Sequence, residues 1–215
     1  MPTHRSLANV HLTGLARDLA ARADSGKPVR IGVIGSGEMG TDLVTQGMLM
    51  RGVEVCAIAT RRPHTAREAM TIAYGDDAMA VEADTVSKVS SAIGLKKIAV
   101  TSAETLVKVP EIDVIIDATG KPGVAADYDL AAMEQGKHIV MMNVEADVTI
   151  GAYLAREAKR LGVVYTLGAG DEPSSTMELI NFVTGLGYPI VAAGKGKNNP
   201  LNIDATPAEY MDEAK

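Results

Sequence analysis

The sequence predicts an α/β protein, a Rossmann-type doubly wound parallel sheet followed by the beginning of a second, substrate-binding domain. Three observations favour this fold: short apolar segments alternate with helical ones, a glycine-rich turn follows the first apolar segment, and the alternation stops near residue 170. Strands that are apolar throughout and separated by helices are typical of a parallel sheet covered on both faces. Six such strands in this arrangement match the doubly wound dinucleotide-binding fold.

The elements follow in chain order. Leucines at helical spacing predict a helix over 7–23 that docks on the following domain, and Ser-Gly-Lys-Pro at 25–28 ends it. The strands are predicted at 29–35, 53–60, 97–101, 113–119, 138–144 and 163–170. The helices between them are predicted at 38–50, 63–74, 127–135 and 150–160, and the polar stretch 76–95 has a helical character.

Composition excludes several classes of protein. With 47% hydrophobic and 22% charged residues the chain is globular. Six Tyr, one Phe and no Trp predict an aliphatic, Met-filled core, and a net charge of −6 without a basic run argues against nucleic-acid binding. No window of 18 uncharged apolar residues and no signal core are found, so the sequence predicts a cytoplasmic protein without a membrane span.

Metal chemistry based on cysteine or histidine is also disfavoured. Cys56 is the single cysteine, so it cannot form an intrachain disulfide, and it is predicted to lie in a buried strand, where it is inert. The four histidines show no ligand spacing, which argues against zinc.

A glycine-rich turn carries the strongest functional signal. It follows the first predicted strand and opens the next helix, which is the context that makes a G-x-G-x-x-G pattern specific for a dinucleotide. The turn consists of Gly35, Ser36, Gly37, Glu38, Met39 and Gly40. The first glycine makes the tight turn, the second lets the backbone approach the pyrophosphate and the third allows close helix packing. The helix N-terminus then supplies N–H groups to the phosphates.

The end of the second strand indicates which dinucleotide binds. An NAD site needs a carboxylate there for the ribose 2′-hydroxyl, whereas this chain has Thr60, Arg61 and Arg62. Arginine offers forked, charge-assisted donors to a 2′-phosphate. The sequence therefore favours an NADPH site, in which the arginines bind the 2′-phosphate, over the alternative that they are ordinary solvated surface residues.

Two further loops follow predicted strands at the edge where such sheets bind ligands. Thr119 and Gly120 either pass beside the nicotinamide ribose or form a plain turn. Asn143 and Glu145 follow the fifth strand. Asn143 is predicted to bind the cofactor, and a carboxylate at Glu145 is a candidate acid, base or metal ligand. Asp147 is alternatively the N-cap of a helix that starts near Thr149.

The rhythm of the sequence changes after Gly170. Ser174, Ser175 and Thr176 predict a cap for a helix that runs to about Val183, and a strand and a Lys-, Gly- and Asn-rich loop follow over 188–200.

Four charged residues in this segment are candidates for chemistry. Asp171 and Glu172 are either ligands for Mg²⁺ or Mn²⁺ or a solvated acidic hinge. Lys195 and Lys197 either bind a substrate phosphate or carboxylate or are ordinary surface lysines.

Several motifs together resemble a known family. They are IGVIGSGEMGTDLVTQ, VIIDATG, GKHIVMMNVEADVTIG, LGAGDEPSS and AGKGKNNPLNIDATP. The chain from about Val29 onward is similar to the homoserine dehydrogenase-like oxidoreductases, and within them to the deoxyxylulose-phosphate reductoisomerase-like enzymes. The resemblance implies a Rossmann domain that holds NADPH on Gly35, Gly37 and Gly40, with Arg61 and Arg62 at the 2′-phosphate.

The reaction that the resemblance implies is the NADPH-dependent conversion of 1-deoxy-D-xylulose 5-phosphate to 2-C-methyl-D-erythritol 4-phosphate, a step of isoprenoid precursor synthesis. Glu145, Asp171 and Glu172 are then candidates for proton transfer or metal binding, and Lys195 and Lys197 for contact with the substrate anion. The alternatives are a semialdehyde reductase similar to homoserine dehydrogenase and a non-catalytic NADP(H)-binding module.

The resemblance also implies the domain organisation. The docking helix occupies 1–28, the NADP-binding Rossmann domain 29–170, and the start of a substrate and dimerisation domain 171–215. In the family that last domain continues further, so we expect either an N-terminal fragment or a natural short form, with homodimerisation through a region partly missing here.

Overall fold

A computed structural model of the chain describes residues 12–168, 172–194, 203 and 206. The chain divides into two compact units, Met1–Gly168 and Ala169–Lys215. The first unit contains a single parallel sheet with helices on both faces, which confirms the predicted Rossmann-type fold.

Seven strands form this sheet, and every neighbouring pair is parallel. They are β1 (Val29–Ile34), β2 (Val53–Ala59), β3 (Ala80–Glu82), β4 (Ile98–Thr101), β5 (Val114–Asp117), β6 (His138–Met141) and β7 (Tyr165–Leu167). Their order across the sheet is β3-β4-β2-β1-β5-β6-β7. Since β1 is central and the chain proceeds outward to either side of it, the loops after β2 and β5 flank the loop after β1 at the carboxyl edge.

Helices connect the strands. They are α1 (Gly14–Asp24), α2 (Glu38–Leu49), α3 (Pro63–Tyr74), α4 (Val86–Gly94), α5 (Ala103–Leu106), α6 (Pro122–Val124), α7 (Leu130–Glu134) and α8 (Val144–Leu161) in the first unit, and α9 (Glu172–Gly185) in the second. A π-helix, Ala125–Asp129, joins α6 to α7. Among the described residues, no helix is both long and apolar enough to cross a membrane.

An aliphatic core fills both faces of the sheet. On one face Val33 packs with Val44 of α2 and Met70 of α3, and on the other Leu106 and Met141 are fully buried. The buried methionines confirm the predicted Met-filled core, which suits a chain with few aromatic residues.

The predicted elements differ from the structure at several places in the first unit. The helix predicted over 7–23 begins at Gly14 within the described residues, and the short helices α5 and α6 are not predicted. Within 76–95, predicted helical, the structure has the edge strand β3 followed by α4. The helix predicted at 150–160 begins earlier, at Val144, because Asn143 rather than Asp147 is its N-cap and accepts a hydrogen bond from the Ala146 N–H.

The second unit also departs from the prediction. The helix α9 begins at Glu172, so the proposed capping residues 174–176 lie inside it. The described part of the predicted strand, residues 188–194, contains no strand.

The N-terminal helix α1 contacts the sheet domain through its second half. Ala20 is buried, and the backbone of Leu19 approaches Gly52 so closely that a Cβ on Gly52 would lie 2.0 Å from the Leu19 carbonyl oxygen. Asp24 and Arg51 form an ion pair next to this contact. Leu15, on the predicted apolar face, is exposed instead.

The core predicts a contrast between two leucines. Leu106 is 0% exposed and Leu95 is 75% exposed. We expect Leu106→Ala to lower the free energy of unfolding by about 2–5 kcal/mol, because a buried cavity is left behind. Leu95→Ala serves as the matched control and is expected to change it by about half a kcal/mol or less. Urea unfolding followed by circular dichroism measures both, and equal losses would contradict this core assignment.

Candidate functional site

A cavity of about 580 Å³ lies at the carboxyl edge of the sheet. It is lined by the loops that follow β1, β2, β4 and β5 and by the helical turn after α6. Open parallel sheets bind ligands at this edge, where the strand order reverses around the central strand. The cavity is therefore the candidate site.

The glycine turn after β1 is closely packed. Gly35 has a φ of +109°, which L side chains rarely adopt, and its N–H donates to the Ala59 carbonyl at 2.9 Å. A Cβ on Gly40 would lie 2.2 Å from the Gly35 carbonyl oxygen, so α2 approaches the turn as only glycine permits. This contact fixes the first turn of α2 at the mouth of the cavity.

The N-terminus of α2 is open to an anion. Its N-cap, Gly37, has no side chain to accept a hydrogen bond from the first-turn N–H groups. Glu38 and Met39 occupy the first turn with exposed side chains. The N–H groups and the positive end of the helix dipole therefore favour a phosphate here, which suits the pyrophosphate of a dinucleotide.

A cluster of three hydroxyl groups lies at the β2 side of the cavity. Ser36 Oγ donates to Thr60 Oγ1 at 2.9 Å and lies 2.5 Å from Thr65 Oγ1. The Arg62 N–H donates to Thr60 Oγ1 at 3.1 Å, and Thr65 Oγ1 donates to the Arg62 carbonyl at 2.8 Å. These bonds hold the backbone that presents Arg61 and Arg62.

Both arginines are exposed and line the cavity. None of the ion pairs found in the described part of the chain involves either of them. No carboxylate occurs among the described residues that line the cavity, whereas Lys121 adds a third cationic residue on the β5 side. The cavity is thus cationic although the chain carries a net charge of −6.

Hydrogen bonds to the buried carboxylate of Asp117 hold the loop after β5 in place. This buried carboxylate accepts hydrogen bonds from the Thr119 N–H at 2.9 Å and from Thr119 Oγ1 at 2.7 Å. Asn143 Nδ2 donates to Asp117 at 2.9 Å and to the Lys121 carbonyl at 2.9 Å. Asn143, predicted to bind the cofactor, is fully buried, so its side chain supports the loop rather than facing the cavity.

A second buried carboxyl group lies beside the first. Asp129 ends the π-helix, and among the described residues neither of its oxygens has a hydrogen-bond donor. Burial, together with the neighbouring Asp117 carboxylate, raises the pKa of Asp129 to about 9. Two neighbouring carboxyl groups can form a hydrogen bond only when one of them carries a proton, and the raised pKa favours the protonated form of Asp129. Tyr128, one position earlier, lines the cavity.

Asp147 and Tyr165, close to this carboxyl pair, are hydrogen-bonded to each other. Tyr165 Oη donates to Asp147 Oδ1 at 2.7 Å. Burial, followed by this hydrogen bond and the surrounding carboxylates, raises the pKa of Tyr165 well above its usual range. Tyr165 therefore stays a neutral donor, and Asp147 is bound to it.

Glu145 is brought close to the loop after β5. It lies exposed in the first turn of α8, and a Cβ on Gly120 would be 3.6 Å from Glu145 Oε2. The positive end of the helix dipole stabilises a carboxylate in this position. It is also a candidate for proton transfer at this side of the cavity.

Four predicted site residues belong to the second unit. Asp171, Lys195 and Lys197 lie outside the described residues, and Glu172 begins α9 with a side chain that is also outside them. No group of three or more His, Cys, Asp or Glu side chains within the described ranges is arranged to hold a metal ion. Binding of Mg²⁺ or Mn²⁺ by Asp171 and Glu172 stays a prediction.

Several residues that line or support the cavity are not among the predicted site residues. Ser102 follows β4, and Lys121 follows the predicted Thr119 and Gly120, so the strand-end rule points to both. Tyr128 has no such signal, because the π-helix sets which face it presents. Thr65 meets Ser36 across 29 positions of sequence, which no local pattern indicates.

A larger cavity, of about 660 Å³, lies at the opposite edge of the sheet. It is lined by the starts of β2 and β4 and contains Cys56 and Tyr74. Burial raises the pKa of the Cys56 thiol to about 12, so the thiol is unreactive at neutral pH, as the sequence predicts. This cavity lacks the glycine turn and a helix N-terminus, and the smaller cavity remains the candidate site.

A doubly wound sheet with a glycine turn and an open helix N-terminus at its carboxyl edge defines a dinucleotide-binding domain. The family model for the NAD-binding domain of homoserine dehydrogenase matches residues 31–167, which is more than half of the chain. The chain therefore belongs to the family of homoserine dehydrogenase NAD-binding domains. The model for the catalytic domain of the oxidoreductase DRL matches residues 170–215. No curated protein matches the chain.

Solved structures share the fold at low sequence identity. The oxidoreductase yvaA from Bacillus subtilis is 18% identical with a TM-score of 0.51, covering 74% of this chain and 40% of its own. KijD10, a 3-ketoreductase from Actinomadura kijaniata in complex with TDP-benzene and NADP, is 18% identical with a TM-score of 0.51, covering 74% and 43%.

A reductoisomerase is also among the structural neighbours. The 1-deoxy-D-xylulose 5-phosphate reductoisomerase from Zymomonas mobilis, in complex with NADPH, is 18% identical with a TM-score of 0.45, covering 71% of this chain and 41% of its own. These alignments span about two fifths of the length of each solved structure.

The close contact at Gly40 generates a prediction. Gly40→Ala places a methyl group against the Gly35 backbone, and we expect a loss of about 1–3 kcal/mol in unfolding free energy together with weaker dinucleotide binding. Gly94→Ala is the matched control, since no atom lies within 4 Å of its added Cβ, and it should be neutral or stabilising by up to about 1 kcal/mol. Urea unfolding and NADPH fluorescence titration measure both effects. Unchanged binding in Gly40→Ala would contradict the role of this turn.

Proposed function

We propose that this chain binds NADPH in preference to NADH and supplies the cofactor half of an oxidoreductase that acts on a phosphorylated small molecule. The observation that carries the preference is the cationic end of the cavity, where Arg61 and Arg62 stand at the tip of β2 without a carboxylate beside them in the lining. A 2′-phosphate gains charge-assisted hydrogen bonds from guanidinium groups, whereas a 2′-hydroxyl needs an acceptor.

The hydroxyl cluster extends this argument. Ser36, Thr60 and Thr65 lie within hydrogen-bonding distance of one another beside the two arginines. Hydroxyl groups can turn to donate to an anion, so three of them next to two guanidinium groups fit a phosphate better than an uncharged sugar edge. KijD10, which shares the fold, was solved with NADP.

The arrangement of the loops supports one direction for the bound dinucleotide. The adenosine end lies toward β2 and its arginines, the pyrophosphate at the N-terminus of α2, and the nicotinamide end toward the loop after β5. When bound, NADPH supplies a hydride to a carbonyl carbon, and the carbonyl oxygen takes a proton. Glu145, beside Gly120, is the described carboxylate that we assign to proton transfer at that end.

The arginines provide the test of cofactor preference. For the unchanged chain we expect NADPH to bind at least about tenfold more tightly than NADH in a fluorescence titration. The double variant Arg61→Ala with Arg62→Ala should lose about tenfold to a hundredfold in NADPH affinity, because two charge-assisted contacts disappear, and should keep its NADH affinity.

The matched control is Arg156→Ala, which removes an exposed arginine of α8 that does not line the cavity. It should leave both affinities unchanged. Equal binding of NADPH and NADH by the unchanged chain would refute the proposed preference while leaving dinucleotide binding intact.

For the reaction we propose a reductoisomerase-like conversion of 1-deoxy-D-xylulose 5-phosphate, which would place the protein in isoprenoid precursor synthesis in the cytoplasm. The match of residues 170–215 to the catalytic domain of the oxidoreductase DRL supports an oxidoreductase whose substrate site lies in the second unit. Lys195 and Lys197 are assigned to the substrate phosphate, Asp171 and Glu172 to Mg²⁺ or Mn²⁺ or to proton transfer. A homodimer formed through the second unit is part of this proposal.

The homoserine dehydrogenase family model favours a second candidate reaction, the reduction of an amino-acid semialdehyde. A third candidate is an NADP(H)-binding module without turnover.

A substrate panel separates these candidates. NADPH oxidation is followed with deoxyxylulose phosphate and with aspartate semialdehyde, each with and without Mg²⁺ or Mn²⁺. We expect turnover with the sugar phosphate, dependent on the metal, and a loss of at least about tenfold in kcat/KM in Lys195→Ala, because a phosphate contact is removed. Turnover of the semialdehyde alone would favour the second candidate, and tight NADPH binding without any turnover would favour the third.

A further inference from the structure

The two buried carboxyl groups beneath the loop after β5 are not used by the cofactor contacts described above. Asp117 and Asp129 are both fully buried. Asp117 accepts hydrogen bonds from two groups of Thr119 and from Asn143, so its oxygens are satisfied. In the described part of the chain the oxygens of Asp129 have no donor, and a buried carboxylate without one is costly.

We propose that Asp129 is protonated and that its O–H group donates a hydrogen bond to Asp117. This carboxyl pair then positions the 119–121 loop at the nicotinamide end of the cavity. The proposal rests on dinucleotide binding in this cavity and is independent of the preference for NADPH. Asp129 acts through Asp117 and touches no cofactor itself.

The chain of contacts runs from the pair to the cavity wall. Asp117 holds the Thr119 N–H and hydroxyl, and Asn143 joins Asp117 to the Lys121 carbonyl at 2.9 Å. Thr119 and Lys121 line the cavity. If Asp129 loses its proton, two carboxylates face each other in the interior, and the repulsion acts on the group that holds the loop.

The pair stands in acidic surroundings. Tyr165 on β7 interacts with both carboxyl groups, and its hydroxyl donates a hydrogen bond to a third carboxylate, Asp147 on α8. No lysine or arginine forms a hydrogen bond or ion pair with either carboxyl group among the described residues. Burial and the neighbouring Asp117 carboxylate act in the same direction and raise the pKa of Asp129 to about 9.

The sign of the pH effect follows from this direction. An unfolded Asp loses its proton near pH 4, whereas the folded protein keeps that of Asp129 up to about pH 9. The folded state therefore binds the extra proton between these limits, and stability falls as the pH rises through this window. Cofactor binding, which needs the positioned loop, should weaken as Asp129 ionises.

The test compares the unchanged chain with Asp129→Asn from pH 7 to about pH 10. Asparagine donates to Asp117 at every pH, so it keeps the bond and removes the titration. For the unchanged chain we expect NADPH and NADH affinities to fall by about tenfold across this range, as for a group whose pKa changes by one unit on binding. Asp129→Asn should bind with little pH dependence, and Asp129→Leu should bind weakly throughout.

The matched control is Asp127→Asn, which removes an exposed carboxylate from the same π-helix and should reproduce the pH profile of the unchanged chain. Carboxyl-carbon NMR and the chemical shift of the Thr119 amide report the protonation of the carboxyl pair in the absence of any cofactor. Both should titrate near pH 9 in the unchanged chain, and the Thr119 shift should be constant in Asp129→Asn.

Two outcomes overturn the proposal. If the Asp129 carboxyl is ionised at pH 7, there is no proton for the pair to share. If the pH profile of binding is the same in Asp129→Asn as in the unchanged chain, the ionisation of Asp129 does not affect the loop. If neither dinucleotide binds at any pH, dinucleotide binding at the cavity fails and with it the positioning role, whereas the NMR titration still reports whether the proton is shared.

Discussion

The close approach of α2 to the turn after β1 is the constraint on which the site depends. Because Gly40 has no Cβ, the first turn of α2 comes against the Gly35 carbonyl, and the uncapped N–H groups of the helix face the carboxyl edge of the sheet. The parallel order of β2, β1 and β5 then brings the arginines after one strand and Thr119 after another to either side of that N-terminus. An anionic dinucleotide fits a surface built in this way.

Polar groups beneath the surface determine its shape. Hydroxyl groups of Ser36, Thr60 and Thr65 hold the arginine-bearing loop, and buried carboxyl and amide groups hold the loop after β5. A side chain fixed by buried hydrogen bonds is set in place before a ligand arrives, which reduces the entropy lost on binding. The cationic surface and its buried acidic support are thus parts of one device, although the chain as a whole is acidic.

Much of the fold is predictable from the sequence, because continuous apolar runs and the glycine turn report burial and backbone shape directly. The strand β3 is not predicted from the sequence, because it is three residues long, lies at the edge of the sheet and is mostly exposed, so no apolar run marks it. The start of α8 was misplaced because the polar first turn reads as a loop, and only the buried bonds of Asn143 reveal it as the cap. The helix at 127–135 was predicted, but the π-turn that directs Asp129 inward and Tyr128 to the cavity depends on tertiary packing.

The roles inferred for these loops all depend on dinucleotide binding at the carboxyl-edge cavity. Hydrogen exchange of backbone amides, measured with and without saturating NADPH, tests it most directly because it reports location as well as binding. We expect protection concentrated at 35–40, 60–62 and 119–121, which are three of the loops around the cavity. Protection confined to the starts of β2 and β4, where the second cavity lies, or no change at the glycine turn in the presence of bound NADPH, would contradict it.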